Sequence, residues 1–336
     1  MPGITLRATL EEWPLKRPFS ITGYRWESLP TVLVTLQSAG HIGRGEAAGV
    51  YYRNDTPELM LRQIESLRPT VESGVTRLQL QRLLPRGGAR NALDSALWDL
   101  EAKIKGVPAW ADAELEKPRP LLTTFTCGVD DPERMASTAG QYTGARAIKI
   151  KLRGDTQDAD RVRAIRTARR DVWLGVDANQ GFTLPFLERL MPVLVEAQVS
   201  LIEQPFPIGE ESRLDGFRSP IPIAADESVQ GLEDVQAASG RFQVINIKLD
   251  KCGGLTEGLL MARRAQSLGM DVMVGNMMGT SLALAPAFLL GQLCKVVDLD
   301  GAIFLKGDRT ESVRYQDGLI TSPPELWGAP VEGHTV

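Results

Sequence analysis

"AIKIKLRGDTQDADRVRAIRTARRDVWLGVDAN", residues 147–179, carries the pattern that decides the fold. The opening AIKIK reads as a strand: Ile148 and Ile150 are β-branched and apolar, and Gly154 closes the run. DADRVRAIRTARR then reads as a helix, and VWLGVDA as the next strand. Side chains alternate across a strand, so Lys149 and Lys151 share one face, where like charges repel. That repulsion needs a reason.

The same alternation extends outward from this unit. From Leu121 the apolar runs are LLTTFTC, AIKIKL, VWLGVDA, VSLIEQP, IPIAADE, QVINIKL, MDVMVGN and KVVDLD. Helix-like stretches such as DPERMASTAGQY and LTEGLLMARRAQSLG fall between them. Strand–helix repetition implies parallel strands with crossover helices. Eight such units in roughly 180 residues predict an α/β fold of the TIM-barrel type. A doubly wound sheet competes, but no Gly-rich dinucleotide turn or Walker loop follows any strand. The first ~120 residues read instead as α+β. TVLVTLQSAGHIGRGEAA looks like a hairpin, and ARNALDSALWDLEAKIKGVP is a helix stopped at Gly106. The expected division is a cap over 1–118, a barrel over 119–315 and a tail over 316–336 that packs back on the cap.

Composition limits the chemistry. The 336 residues are 43% hydrophobic and 24% charged, with a net charge of −4 and no long basic block, which argues against nucleic acid as a partner. No apolar run approaches a membrane span, and MPGITLRATLEEWPLKRPF does not read as a signal peptide. Cys127, Cys252 and Cys294 are widely spaced in apolar segments, as buried thiols of a reducing cytoplasm would be. His41 and His334 are the two histidines, one near each end, so a histidine triad or a His-rich zinc site is not expected.

In such a barrel the chemistry gathers at the C-terminal strand ends. The second strand ends on Lys149 and Lys151, and the next four on Asp177, Glu203, Asp226 and Lys248, at intervals of 22 to 26 residues. The eighth is followed by Asp298 and Asp300. Strands can end in charge simply because loops begin there, but that does not explain lysines flanking three successive acids. Converging carboxylates repel unless a cation joins them, and hard oxygen ligands suit Mg²⁺. Asp177, Glu203 and Asp226 are therefore the candidate metal ligands. A lysine is a poor base near pKa 10.4, but a like charge and burial lower it. Lys149 and the metal are expected to do this to Lys151, with Lys248 facing the same space from across the barrel.

These residues resemble the enolase superfamily, in its muconate-lactonizing-enzyme subgroup, over essentially the whole chain. The resemblance rests on Lys149–Ile150–Lys151, on VDAN, IEQP and ADES around the three acids, and on NIKLDKCGG around Lys248. It implies a modified (β/α)7β barrel with an α+β capping domain, one Mg²⁺ per subunit, and supporting roles for Asn179 and Glu227. The superfamily pairs a Lys base with Mg²⁺ to stabilise an enediolate. DLDG looks like the Asp-x-Asp motif of the dipeptide epimerases, in which the acids hold a dipeptide ammonium; ARNALDSALWDL and NIKLDKCGGLTEGL look like those acting on L-Ala-D/L-Glu. The implied reaction is two-base epimerisation of a dipeptide's C-terminal residue, with one lysine taking the α-proton and the other returning it to the opposite face. Relatives that take glutamate look to carry an arginine in the cap loop TGYRWESLP, where Trp26 falls at that place beside Arg25. GNMMGTSL also departs from those relatives, so Arg25, Trp26, Asn276 and Met277 are the expected selectors of the side chain. N-acylamino-acid racemisation, o-succinylbenzoate synthesis and cycloisomerisation use the same lysines and metal. A Schiff-base aldolase needs one lysine and no acid trio. The resemblance leaves room for a homo-oligomer.

Overall fold

The computed structural model describes residues 3–21 and 24–330. His334 and the last six residues of the expected tail lie outside the described residues. The chain opens with a three-stranded antiparallel sheet: β1 (Thr5–Ile21), β2 (Tyr24–Ser38) and β3 (His41–Ala47). On β2 every second residue, Val32, Val34 and Leu36, is fully buried, the signature of a sheet with one covered face. The hairpin between β2 and β3 turns on Ala39 and Gly40, both at positive φ, as a two-residue connection between twisted strands requires.

Four short helices follow, α1 (Pro57–Ser66), α2 (Arg68–Glu72), α3 (Arg77–Leu83) and, after the long α4 (Gly88–Lys105), α5 (Ala109–Asp112). Helix α4 ends where its sequence says, at Gly106 in the left-handed conformation. It lies directly on β3. A Cβ at Gly45 would come within 2.1 Å of the Ala92 carbonyl oxygen, and one at Gly43 within 2.3 Å of that of Ala96, so this approach needs glycine.

The barrel sheet holds eight parallel strands in sequence order: β5 (Phe125–Cys127), β6 (Ala147–Lys151), β7 (Trp173–Asp177), β8 (Val199–Glu203), β9 (Ile223–Ala225), β10 (Val244–Lys248), β11 (Asp271–Gly275) and β12 (Val296–Asp298). Thr124 N donates to the Val297 carbonyl at 3.0 Å, joining the last strand to the first. Between them run α6 (Pro132–Gln141), α7 (Asp158–Ala168), α8 (Leu184–Glu196), α9 (Leu232–Ala238), α10 (Leu249–Cys252), α11 (Leu255–Ser267) and α12 (Ser281–Gly291). The expected TIM-type alternation is what the protein adopts. One strand departs from its reading: LLTTFTC splits, and β4 (Leu121–Leu122) leaves the barrel to pair with β14 (Leu319–Thr321), itself paired with β13 (Arg314–Gln316). No helix among the described residues is long and apolar enough to cross a membrane.

The period of two sorts each strand. Ile148 and Ile150 join the core between strands and helices, while the alternate residues point into the barrel. Low in the barrel, Leu201, Ala224, Val244 and Met273 close an apolar plug against Trp173 and Val296. Two residues further along the same strands stand Glu203, Asp226, Asn246 and Gly275. Apolar floor and polar rim are thus one register apart.

The cap is tied to this rim at several points. Asp250, two residues beyond Lys248, accepts from Ala48 N at 3.1 Å and Gly49 N at 2.9 Å. Arg309 pairs with Glu46 of β3 and Glu11 of β1, and Trp327 Nε1 and Gly328 N reach back to Ser95 O and Asp99 Oδ1 of α4 at 3.0 and 2.8 Å. Cys127 and Cys252 are buried free thiols; Cys294 is only partly covered.

Candidate active site

Between cap and barrel rim lies a cavity of about 250 Å³. Its floor carries Lys149, Lys151, Lys248, Asp298 and Asp300; its cap side carries Phe19, Trp26, Leu29, Gly49, Tyr51 and Asp55. Met277, Met278, Gly301 and Phe304 form part of the wall, with Asn179, Asn276, Thr56 and Thr126 among the polar residues beside them.

The charged strand ends converge on that floor. Asp177, Glu203 and Asp226 are buried, and one oxygen of each lies within 4.8 Å of the others. Burial and then the Asp177 charge push Glu203 up to about 8. Three hard oxygen donors so crowded that one resists ionisation fit a divalent cation. Glu227, pushed up to about 7 by burial and by Asp226 and Asp177, keeps its Oε2 without a partner among the described residues, as does Asn246 Oδ1. Asn179 steadies both sides of this cluster: its N donates to Asp177 Oδ1 at 2.8 Å and its Nδ2 to Glu227 Oε1 at 3.3 Å. It does so from a left-handed backbone, φ 40, a strained conformation that recurs at functional sites.

The two lysines take different acids as hydrogen-bond partners, although Lys149 Nζ also lies 3.8 Å from the Asp177 Oδ2 that Lys151 holds. Lys151 Nζ lies 2.5 Å from Asp177 Oδ2, whereas Lys149 Nζ donates to Glu203 Oε2 at 3.2 Å and to Asp298. Opposite, Lys248 Nζ donates to Asp226 Oδ2 at 2.6 Å. Gly275 makes room for that side chain, since a Cβ there would fall 3.0 Å from Lys248 Cε.

For Lys149 and Lys248 the neighbouring acids decide the electrostatics. Burial lowers Lys149 and Lys248, and Lys248 further lowers Lys149, as the like-charge argument requires. The carboxylates outweigh both effects and hold the two ammoniums well above the ordinary lysine range: Asp298, Glu203 and Asp177 act on Lys149, and Asp226, Glu203 and Glu227 on Lys248. A cation shared among the acids competes for those lone pairs, so loosening the lysines is a task for the metal more than for lysine–lysine repulsion.

Asp298 and Asp300 both line the cavity but differ in partners. Asp298 accepts from Lys149 and from Thr124 Oγ1; burial raises its pKa, and Lys149 more than offsets this. Asp300 accepts from Thr126 N at 2.6 Å, forms no ion pair among the described residues, and is pushed up to about 7 by burial and by Asp298, against the pull of Lys149. The two acids expected to act alike are therefore one ion-paired and one open group. Asn276 lines the cavity as a bridge, donating to Asp298 O and accepting from Gly301 N. Arg25 does not line it. Its guanidinium is exposed and 3.6 Å from Glu27, because on β2 it points to the face opposite Trp26.

Sequence reasoning missed several contributors. Lys251 is buried and donates to Asp226 Oδ1 at 2.6 Å, and Asn246 Nδ2 donates to Glu203 Oε1 at 2.7 Å. Asn246 had a signal, standing two before Lys248 as Lys149 stands two before Lys151. Gln204 Oε1 accepts from Asp226 N at 2.8 Å and Ser228 N at 3.1 Å, which aims the third acid.

Known proteins are similar to this chain over most of its length. Residues 3–111 match the mandelate racemase/muconate lactonizing enzyme N-terminal domain, and residues 133–329 the enolase C-terminal domain-like family. L-Ala-D/L-Glu epimerase of Escherichia coli K12 is 36% identical over 94% of this chain and 99% of its own. N-acetyl-D-glutamate racemase of a Pseudoalteromonas species is 42% identical over 74% of this chain and 79% of its own. Among solved structures, an enolase family member of Agrobacterium tumefaciens with homology to dipeptide epimerases, bound to sodium and L-Ala-L-Glu, superposes with a TM-score of 0.93. It has 38% identity and covers 97% of this chain and 100% of that one.

Proposed function

The chain belongs to the mandelate racemase/muconate lactonizing enzyme family, as a dipeptide-epimerase-type isomerase, and from that premise we propose that it inverts the α-carbon of the glutamate residue in L-Ala-D/L-Glu. The observation that carries this reading is the placement of Lys151 and Lys248 on β6 and β10, opposite strands of the barrel, with the acid trio between them.

Asp177, Glu203 and Asp226 are the residues that would hold Mg²⁺. Mg²⁺ bound there supplies a fixed positive charge for the substrate carboxylate and for the charge that develops beside the α-carbon. Lys151, as the free amine, takes the α-proton from one face, and the electron pair of the C–H bond delocalises into the adjacent carboxylate. Lys248, as the ammonium, returns a proton to the opposite face. The reverse epimer uses the same pair with roles exchanged. Lys149, held by Asp298 and Glu203, keeps a permanent cation beside the reacting carboxylate. The apolar plug lies below the proton path and the cap residues above it.

Asp300 is the residue we assign to the dipeptide ammonium, because a buried carboxylate without a cation gains most from one. Asp300→Asn is expected to raise KM for L-Ala-L-Glu about tenfold, the loss of one charge-assisted hydrogen bond. An unchanged KM would place the ammonium elsewhere. In the wild type, kcat/KM for the dipeptide should climb as pH rises through about 7, where Asp300 ionises, and Asp300→Asn should flatten that limb.

A second reading is N-acyl-glutamate racemisation. It is favoured by the ion pair that already neutralises Asp298, which leaves one acid for an ammonium, and by the 42% identity to an N-acetyl-D-glutamate racemase. Proton NMR in D₂O with Mg²⁺ separates the two. Exchange at the α-position of L-Ala-L-Glu but not N-acetyl-L-glutamate supports the epimerase, the converse supports the racemase, and persistence in a chelator refutes both. The free buried thiols support a cytoplasmic location.

A further inference from the structure

Among the described residues the cavity lining contains no arginine, and its three lysines are engaged by acids on the floor. A side-chain carboxylate entering it must therefore be met by neutral donors. Most are committed: Asn276 bridges Asp298 and Gly301, Asn179 serves Glu227, and Thr56 caps α1. Two polar groups on the cap side, the Tyr51 hydroxyl and the Trp26 indole N–H, have no hydrogen-bond partner among the described residues.

Tyr51 is the better placed. It begins a short 3₁₀ turn (Tyr51–Arg53) two residues after Gly49, whose N–H is fixed by Asp250 beside Lys248. Its ring meets Trp26 edge-on at 5.2 Å, Tyr24 at 4.5 Å and Tyr52 at 5.1 Å, so its direction is set by packing. Burial holds its pKa well above the ordinary tyrosine range against the pull of Lys248, and Glu227, Asp226 and Asp177 act in the same direction as burial. The hydroxyl stays protonated, a donor on a residue that lines the same cavity as Lys248.

We propose that Tyr51 determines specificity by donating its hydroxyl to the side-chain carboxylate of the substrate. The assignment rests on the substrate's being a glutamate compound, and it holds equally for L-Ala-L-Glu and N-acetyl-L-glutamate, which share that side chain. Trp26 gives the carboxylate an aromatic wall and closes this subsite without a cation.

The test is Tyr51→Phe, which keeps the ring packing and removes the donor. KM for the glutamate substrate is expected to rise about tenfold with kcat within about twofold. L-Ala-L-Leu, followed by turnover or as a competitive inhibitor, should bind both proteins alike. Tm reports whether the ring cluster is intact. An equal loss for glutamate and leucine compounds would show Tyr51 acting through packing and overturn the proposal, as would no loss for either. If the wild type processes L-Ala-L-Leu and neither glutamate compound, the substrate reading falls and the Tyr51 assignment with it. If glutamate is processed and Tyr51→Phe is silent, the Tyr51 assignment alone falls.

Discussion

Lys151→Ala and Lys248→Ala should each lower epimerisation by about 10²–10⁴-fold, the range for removing a positioned acid or base. The informative readout is finer than loss of product. Wild-type protein in D₂O should exchange the α-proton of both epimers. Each variant keeps one lysine, on one face of the α-carbon, so each should still wash out the proton of one epimer without inverting it. The epimer that exchanges should be opposite in the two variants. Both should be compared at wild-type helix content by circular dichroism, since each deletion leaves a carboxylate, Asp177 or Asp226, short of one partner. A variant that still interconverts epimers at full rate would remove its lysine from the mechanism. Loss of exchange for both epimers in both variants would contradict independent action of the two faces.

Asp226→Asn carries the other large effect, and it reaches stability as well as activity. Asp226 accepts from Lys248 through Oδ2 and from Lys251 through Oδ1, both at 2.6 Å, and all three groups are buried. Neutralising it removes the counter-charge of two buried ammoniums, although Lys251 keeps the Asp226 and Asn246 carbonyls as acceptors, and breaking a buried pair in this way costs about 3–5 kcal/mol. Relief of repulsion with Asp177 and Glu203 offsets part of that. Burial raises the Asp226 pKa, and the two lysines outweigh it and hold the group far below the ordinary carboxylate range. The stability it contributes is therefore present above the unfolded value, about pH 4, and is lost only as pH falls toward the lower folded value. Urea unfolding at pH 7 should show the variant destabilised by a few kcal/mol. Isothermal titration with Mg²⁺ should show weakened binding, and turnover should fall by at least about 10²-fold. A variant with unaltered Mg²⁺ affinity would take Asp226 out of the ligand set.

Much of this site is written in the strand ends of the sequence. Lys149, Lys151, Asp177, Glu203, Asp226 and Lys248 were legible because strand ends point one way in a barrel and a period of two fixes the face. What was not legible depends on closure and docking. Pairing of Lys149 with Asp298 joins the second strand to the eighth, which requires the sheet to curl round completely. The split of LLTTFTC depends on a partner, Ile320, that lies far along the chain. Arg25 was read as a selector from its place in a loop, but one residue of strand register decides whether a side chain faces the cavity or the solvent. Lys251 stands on the one-turn helix after Lys248, where spacing alone does not show that its amine folds back beneath Asp226.

The clasp between α4 and the segment around Trp327 bears on how the protein is made. Asp99 receives Gly328 N across 229 residues of chain, and Ser95 O receives Trp327 Nε1 across 232. At about 5–20 residues per second the ribosome needs roughly 10–50 s to cover that separation. Through that interval the emerging cap holds its helix face without these donors, and a contact closed over so long a loop forms late. Closure of this clasp therefore waits until the chain beyond the last barrel strand has emerged.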